Sequence, residues 1–138
     1  MRIIALDPGT KRVGIAISDA LGVTAQGVMT FQREKEEELV KYLRDKISSG
    51  EIKEIVVGLP LNMDGSKGPQ ARSAENFAEH LKNRLNVPVK MWDERMSTLQ
   101  AERVMIAADT SRKKRKAKID KLAAQLILQS YLNAQKRL

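Results

Sequence analysis

The chain has no cysteine, which excludes disulfides, thiolate metal sites and a cysteine nucleophile. Its one histidine, His80, excludes a histidine-rich zinc site. No apolar run approaches the ~18 residues that a membrane span requires. The opening run Met1-Arg2-Ile3-Ile4-Ala5-Leu6 meets Asp7 too soon for a secretory leader. A soluble, cytoplasmic chain with no membrane partner is expected. With 138 residues, 42% of them hydrophobic, it has the length of one domain, residues 1–138. Such a domain buries roughly 65–70% of its unfolded surface and needs no covalent staple.

Charge is present in excess and unevenly placed. Lysine and arginine number 25 against 17 acids, a net charge of +8. From Asp109 to Leu138 nine basic residues face only two acids, leaving the first 108 residues close to neutral. The run Arg112-Lys113-Lys114-Arg115-Lys116, with Lys118, lies just before the last expected helix, where the helix dipole disfavours cations. Local stability therefore does not explain it. A polyanionic partner would, nucleic acid before membrane, although a solvated basic loop has the same composition. The segment is expected to be mobile alone and ordered by a phosphate backbone. Aromatic residues make up only 4%, so recognition should depend on phosphates and shape more than on base stacking.

Hydrophobic patterning gives the fold class. Arg2–Leu6, Val13–Ser18 and Val23–Phe31 read as three strands joined by short turns, a meander, with Gly27 marking a bulge. Arg33–Ile47 reads as a helix, Ile52–Leu59 as a strand stopped by Pro60, Leu61–Gln70 as a loop and Ala74–Leu85 as a second helix. Val87–Trp92 reads as a short peripheral strand, and Leu99–Ala108 and Ile119–Ala134 as helices. Right-handed crossovers make strands four and five parallel to strand one. The result is an α/β fold, a five-stranded mixed sheet of order 3-2-1-4-5 flanked by helices. Sites in open sheets lie at the carboxyl ends of parallel strands, where the order switches. Asp7 stands at that end of strand one, and Asp93 and Glu94 at that end of strand five.

Each carboxylate has an ordinary explanation by itself. Asp7 can bond the amides of its own turn. Glu94 can open a helix, and Asp120 can sit near a helix start. Together they suggest more, because Asp120 adjoins the apolar stripe Ile119, Ala123 and Ile127 and so can be carried toward the strand tips. Converging carboxylates repel unless a cation joins them. Oxygen-only ligands suit Mg²⁺ or Mn²⁺, and two such ions about 4 Å apart form a clamp for phosphodiester cleavage. These ions are expected to bind with substrate. Strand four separates Asp7 from Glu94 by about 10 Å at standard spacing. Gly58, with no side chain, leaves Glu94 room to reach across, though it equally shapes the turn into Pro60. Arg95 can orient Glu94 or hold a phosphate. Lys11, in the first turn, joins the nucleic-acid-binding candidates. Ser97 and Gln100 form a capping box, and Asn62, Asp64 and Ser66 are either substrate contacts or a surface turn.

Taken in order, Asp7-Pro8-Gly9-Thr10-Lys11-Arg12-Val13-Gly14-Ile15-Ala16, Ser18-Asp19, Gly58-Leu59-Pro60-Leu61-Asn62-Met63-Asp64-Gly65-Ser66, Asp93-Glu94-Arg95 with Ser97-Thr98, and Asp120 with Ala123-Ala124 resemble the YqgF/RuvX family over nearly the whole chain. The resemblance implies an RNase H-like fold related to RuvC-type Holliday junction resolvases. Members are regarded as nucleases that mature the 5′ end of pre-16S ribosomal RNA. It implies Asp7, Glu94 and Asp120 as metal-binding catalytic carboxylates. RNase H-like enzymes often use a fourth acidic residue; none is assigned here, because Asp93, adjacent to Glu94, can face away from it. Structured RNA is the expected partner, with branched DNA as the alternative substrate and a monomer or homodimer as the assembly. Two other classes remain. A phosphate loop of the sugar-kinase, actin and chaperone ATPases also reads Asp-x-Gly-Thr, but it needs two such domains. A non-catalytic RNA-binding assembly factor would use the basic segment alone.

Overall fold

The computed structural model describes residues 1–99 and 112–136, with side chains at 1–99 and 120–136. Strands β1 (Arg2–Pro8), β2 (Arg12–Ser18) and β3 (Ala25–Gln32) form the antiparallel meander. A short 3-10 turn, Arg33–Lys35, leads into α1 (Glu36–Ser48), and β4 (Ile52–Leu59), α2 (Pro69–Arg84) and β5 (Val89–Asp93) follow. A second 3-10 turn, Glu94–Met96, leaves β5, and α3 (Arg112–Lys136) ends the described chain. The sheet order is β3-β2-β1-β4-β5, with β4 parallel to β1 and β5 parallel to β4, as the sequence leads one to expect. No described helix is long and apolar enough to cross a membrane.

Alternation along the strands divides the core into two layers. Ile4 and Leu6 of β1, Val13 and Ile15 of β2, and Ile55 and Val57 of β4 pack under α1 and α2 against Leu39, Leu43, Phe77 and Leu81. Ile3 and Ala5 of β1, Ala16 of β2 and Val56 of β4 face α3 through Ala123, Ala124, Ile127, Leu128 and Leu132. Each fully buried Ile or Leu contributes roughly 1.5–3 kcal/mol over its exposed state. The α3 layer uses smaller strand residues, so the helix lies close to the sheet. A Cβ at Gly14 would overlap the Asp120 carbonyl, and one at Gly27 would lie 2.8 Å from the Lys121 carbonyl oxygen.

The same helix covers the β3 edge. Gln125 Oε1 accepts from the Gly27 N–H at 3.2 Å, and Gln129 Oε1 accepts from the Ala25 N–H at 3.0 Å. Gln129 Nε2 donates to the Val23 carbonyl at 2.9 Å. Covering an edge strand in this way blocks pairing with another chain. At the other side of the helix, Trp92 meets Tyr131 edge-on at 5.3 Å and donates through Nε1 to Ser130 Oγ at 2.9 Å. Trp92 is thus a packing residue.

Boundaries differ from the sequence reading in instructive places. β1 runs on through Asp7 and Pro8, so Asp7 is a strand residue paired with Gly14 and not part of the turn. α2 starts at Pro69, several residues before the apolar stripe, because proline suits the first helical position. α3 starts at Arg112, so the basic run forms its first turns and is not a loop before it. Asp120 therefore sits well inside α3, where the dipole of the helix start does not reach. The β2–β3 register shifts beside Gly27, the expected bulge. The helix expected over 99–108 lies outside the described residues apart from Leu99.

Candidate active site

Asp7 closes the α3-facing row of β1 after Ile3 and Ala5. Its cross-strand partner is Gly14, and Leu6 is paired with Val57, which places Gly58 beside Asp7 on β4. The acid is therefore flanked on both neighbouring strands by glycine. Over Gly14 lies the backbone of Asp120, and over Gly58 lies Glu94. A Cβ at Gly58 would stand 3.3 Å from Glu94 Oε2, 3.5 Å from Glu94 Cγ and 2.6 Å from Ile127 Cδ1. The Glu94 side chain thus reaches across β4 through the space expected of it.

Asp7, Glu94 and Asp120 line one cleft of about 670 Å³ with Pro8, Gly9, Thr10, Arg33, Pro60, Pro69, Gln70 and Ser73. Neither histidine nor cysteine is among them. Asp7 is only 8% exposed, and burying an ionised carboxylate is costly without partners. The structure also brings a cation that the sequence reading did not place. Arg12 Nε donates to Asp120 Oδ2 at 2.6 Å, so one of the three carboxylates is held by a guanidinium. Among the described residues no three acidic or histidine side chains gather at a single point.

Asp93 and Arg95 belong to each other. Arg95 donates from Nε and Nη2 to the Asp93 carboxylate at 2.8–3.1 Å, and its backbone N–H donates to Asp93 Oδ1 at 2.9 Å. The side-chain bonds to Arg95 hold the Asp93 carboxyl below the usual range. Asp93 therefore caps the turn and does not line the carboxylate cleft. Beyond Asp93, the Arg95 side chain reaches the loop after β4, where its Nη1 donates to the Met63 carbonyl at 3.1 Å. In that loop Asp64 Oδ1 accepts from the Ser66 N–H and hydroxyl, and Asn62 Nδ2 donates to Ser66 Oγ, the arrangement of a self-bonded surface turn. Ser97 accepts from the Leu99 N–H at 3.3 Å, consistent with capping; its expected partner Gln100 lies outside the described residues. Lys11 is exposed beside the cleft. The side chains of Arg112, Lys113, Lys114, Arg115, Lys116 and Lys118 lie outside the described residues.

Arg12 and Arg33 were missed from sequence. Arg12 adjoins the Lys11 candidate and sits two residues before Gly14, so its pairing with Asp120 follows from the contact of Gly14 with α3. Nothing in the local pattern around Arg33 marks it.

A mixed sheet of this order flanked by helices is the ribonuclease H-like fold. The fowlpox virus Holliday junction resolvase shares it, with a TM-score of 0.54 at 15% identity over 97% of this chain and 99% of that one. The chain belongs to the RuvX family, described as Holliday junction resolvase, whose model matches residues 1–134. A protein of Halothermothrix orenii named "putative pre-16S rRNA nuclease" is 54% identical over 100% of this chain and 99% of its own length. One of the same name from Clostridium acetobutylicum is 51% identical over 97% and 99%.

Proposed function

We propose that residues 1–138 form one nuclease domain that cleaves structured RNA, the 5′ region of pre-16S ribosomal RNA, in the cytoplasm. Asp7, Glu94 and Asp120 are its metal-binding carboxylates. The observation that carries this reading is the shared cleft: three acids from β1, the β5 exit and α3 line one cavity, with glycines on both strands beside Asp7. Oxygen donors without histidine or cysteine fit Mg²⁺ or Mn²⁺. When bound, such ions activate water and stabilise the leaving oxygen of the phosphodiester. The chain's part is to hold Asp7 on the sheet, Glu94 on the turn after β5 and Asp120 on α3 around one cleft, and these three acids would hold the ion. Lys11 and the basic first turns of α3 hold the phosphate backbone. The relatives' names favour the RNA substrate, and the family description makes a four-way DNA junction the control.

The test is incubation of the protein with a pre-16S 5′ precursor RNA and with a four-way DNA junction, in Mg²⁺ or Mn²⁺ and then in chelator. RNA cleavage that stops with chelator and in Asp7→Asn, while RNA binding persists, is the expected result. Cleavage indifferent to chelator or to Asp7→Asn would overturn the assignment, and cleavage of the junction alone would replace the substrate.

A further inference from the structure

We propose that a cationic groove beside the carboxylate cleft is a track for the phosphodiester strand leaving the cleft, with Arg33 as the residue that joins the two. The inference rests on the nuclease reading and adds to it the path of the strand. The groove has a volume of about 400 Å³ and is lined by Thr10, Lys11, Arg12, Gln32, Arg33 and Glu34. Thr10 and Arg33 also line the carboxylate cleft, so the two cavities adjoin at these residues. Among the described residues that line the groove, Lys11 and Arg33 stand against Glu34, Arg12 is paired with Asp120, and none is apolar. That composition suits an extended polyanion and gives an apolar ligand nothing to bury against.

Arg33 differs from the arginines that pair with carboxylates. Arg12, Arg84 and Arg95 each pair with a carboxylate. Arg33 is held by neutral oxygens: Nη1 donates to the Gly9 carbonyl at 2.8 Å, and Nη2 donates to Ser73 Oγ at 2.7 Å and to the Ser73 carbonyl at 3.3 Å. Its guanidinium also lies over the Phe77 ring, 5.5 Å from the centroid. These contacts fix its position between the β1–β2 turn and α2, and none of them is to a carboxylate. Among the described residues its Nε makes no hydrogen bond. A guanidinium held in place by neutral oxygens, at the edge of a cleft that takes a phosphodiester, is placed to contact the next phosphate along the strand. Lys11, exposed and accepting the Arg33 N–H through its carbonyl at 2.8 Å, would take the phosphate after it.

The test measures binding of a fluorescent RNA hairpin in Mg²⁺ across a salt series, with Asp7→Asn as a cleavage-deficient background. Arg33→Gln and Lys11→Gln should each weaken binding about tenfold at low salt. Each should also lower the slope of log affinity against log salt by about one, with Arg33→Lys recovering the slope. Lys41→Gln, an exposed cation on α1 outside the groove, should leave the slope as it was. Because Arg33 also braces α2, Lys11→Gln decides the matter if Arg33→Gln fails to fold. Slopes for the Lys11 and Arg33 variants equal to that of Lys41→Gln overturn the groove. If the groove variants lose binding while the unaltered protein cleaves nothing, the track stands and the nuclease reading fails. If the protein cleaves and the slopes do not move, the reverse holds.

Discussion

The backbone carbonyl of Asp120 rests on Gly14, with no room for even a methyl group between them. Gly14 is the cross-strand partner of Asp7. One side-chain-free position on β2 therefore sets how close the acid of α3 comes to the acid of β1. Gly14→Ala should push the helix outward, costing about 1–3 kcal/mol as overpacking does. Denaturant unfolding and RNA cleavage check this. Activity should fall further than the stability loss accounts for, because the helix carries Asp120 away from the cleft.

Gly58 plays the matching part on β4, but its neighbours are side-chain ends and not backbone. Gly58→Ala should cost little stability, since Ile127 Cδ1 can rotate aside, while Glu94 must give way by a few tenths of an ångström. Gly58→Val should fold and lose most of its metal-dependent cleavage, measured as kcat on the RNA. Full activity in Gly58→Val would remove the role assigned to this gap.

Arg12 and Asp120 form a partly exposed pair, so the bond itself should contribute no more than ~1 kcal/mol to stability. Its consequence lies in competition, because the proposed metal site uses the same carboxylate. Arg12→Gln should leave the melting temperature nearly unchanged and tighten Mn²⁺ binding, read by calorimetric titration without RNA. Weaker Mn²⁺ binding would mean that Arg12 positions Asp120 for the ion instead of withholding it.

Away from the cleft, a buried polar cluster anchors the end of α3. Tyr131 donates its hydroxyl to Glu54 Oε2 at 2.7 Å, and Lys90 pairs with the same oxygen at 2.7 Å; Glu54 is only 7% exposed. Burial, then the bond to Glu54, raises the Tyr131 hydroxyl above the ordinary tyrosine value. A folded value above the unfolded one means that the protonated hydroxyl stabilises the fold. That contribution is complete below the unfolded value and is lost as pH rises through the folded one. In Tyr42→Phe, which leaves Tyr131 as the one tyrosine, ultraviolet titration should show ionisation above the free-tyrosine range, with stability falling over the same alkaline interval. Ionisation at the free-tyrosine value would contradict this.

The strand order was legible because it follows from short turns, helical crossovers and handedness, all written in local pattern. The three carboxylates were legible as candidates from their places at strand ends and beside an apolar stripe. Which way they turn was not. The pairing of Asp93 with Arg95 and of Asp120 with Arg12 depends on side-chain directions that spacing does not encode. Arg33 escaped notice for a related reason: its partners Gly9 and Ser73 are distant in the chain and meet only when α2 packs against the first turn. The start of α3 was misplaced because a run of like charges reads as a loop, although lysine and arginine are good helix formers.

The most direct measurement of the central claim is Mn²⁺ binding by electron paramagnetic resonance, made on the unaltered protein and on Asp7→Asn, Glu94→Gln and Asp120→Asn with RNA present. The account predicts that each substitution weakens Mn²⁺ by at least about tenfold, a loss that even outer-shell partners produce, with cleavage falling in step. Equal Mn²⁺ affinity in all four proteins would contradict it.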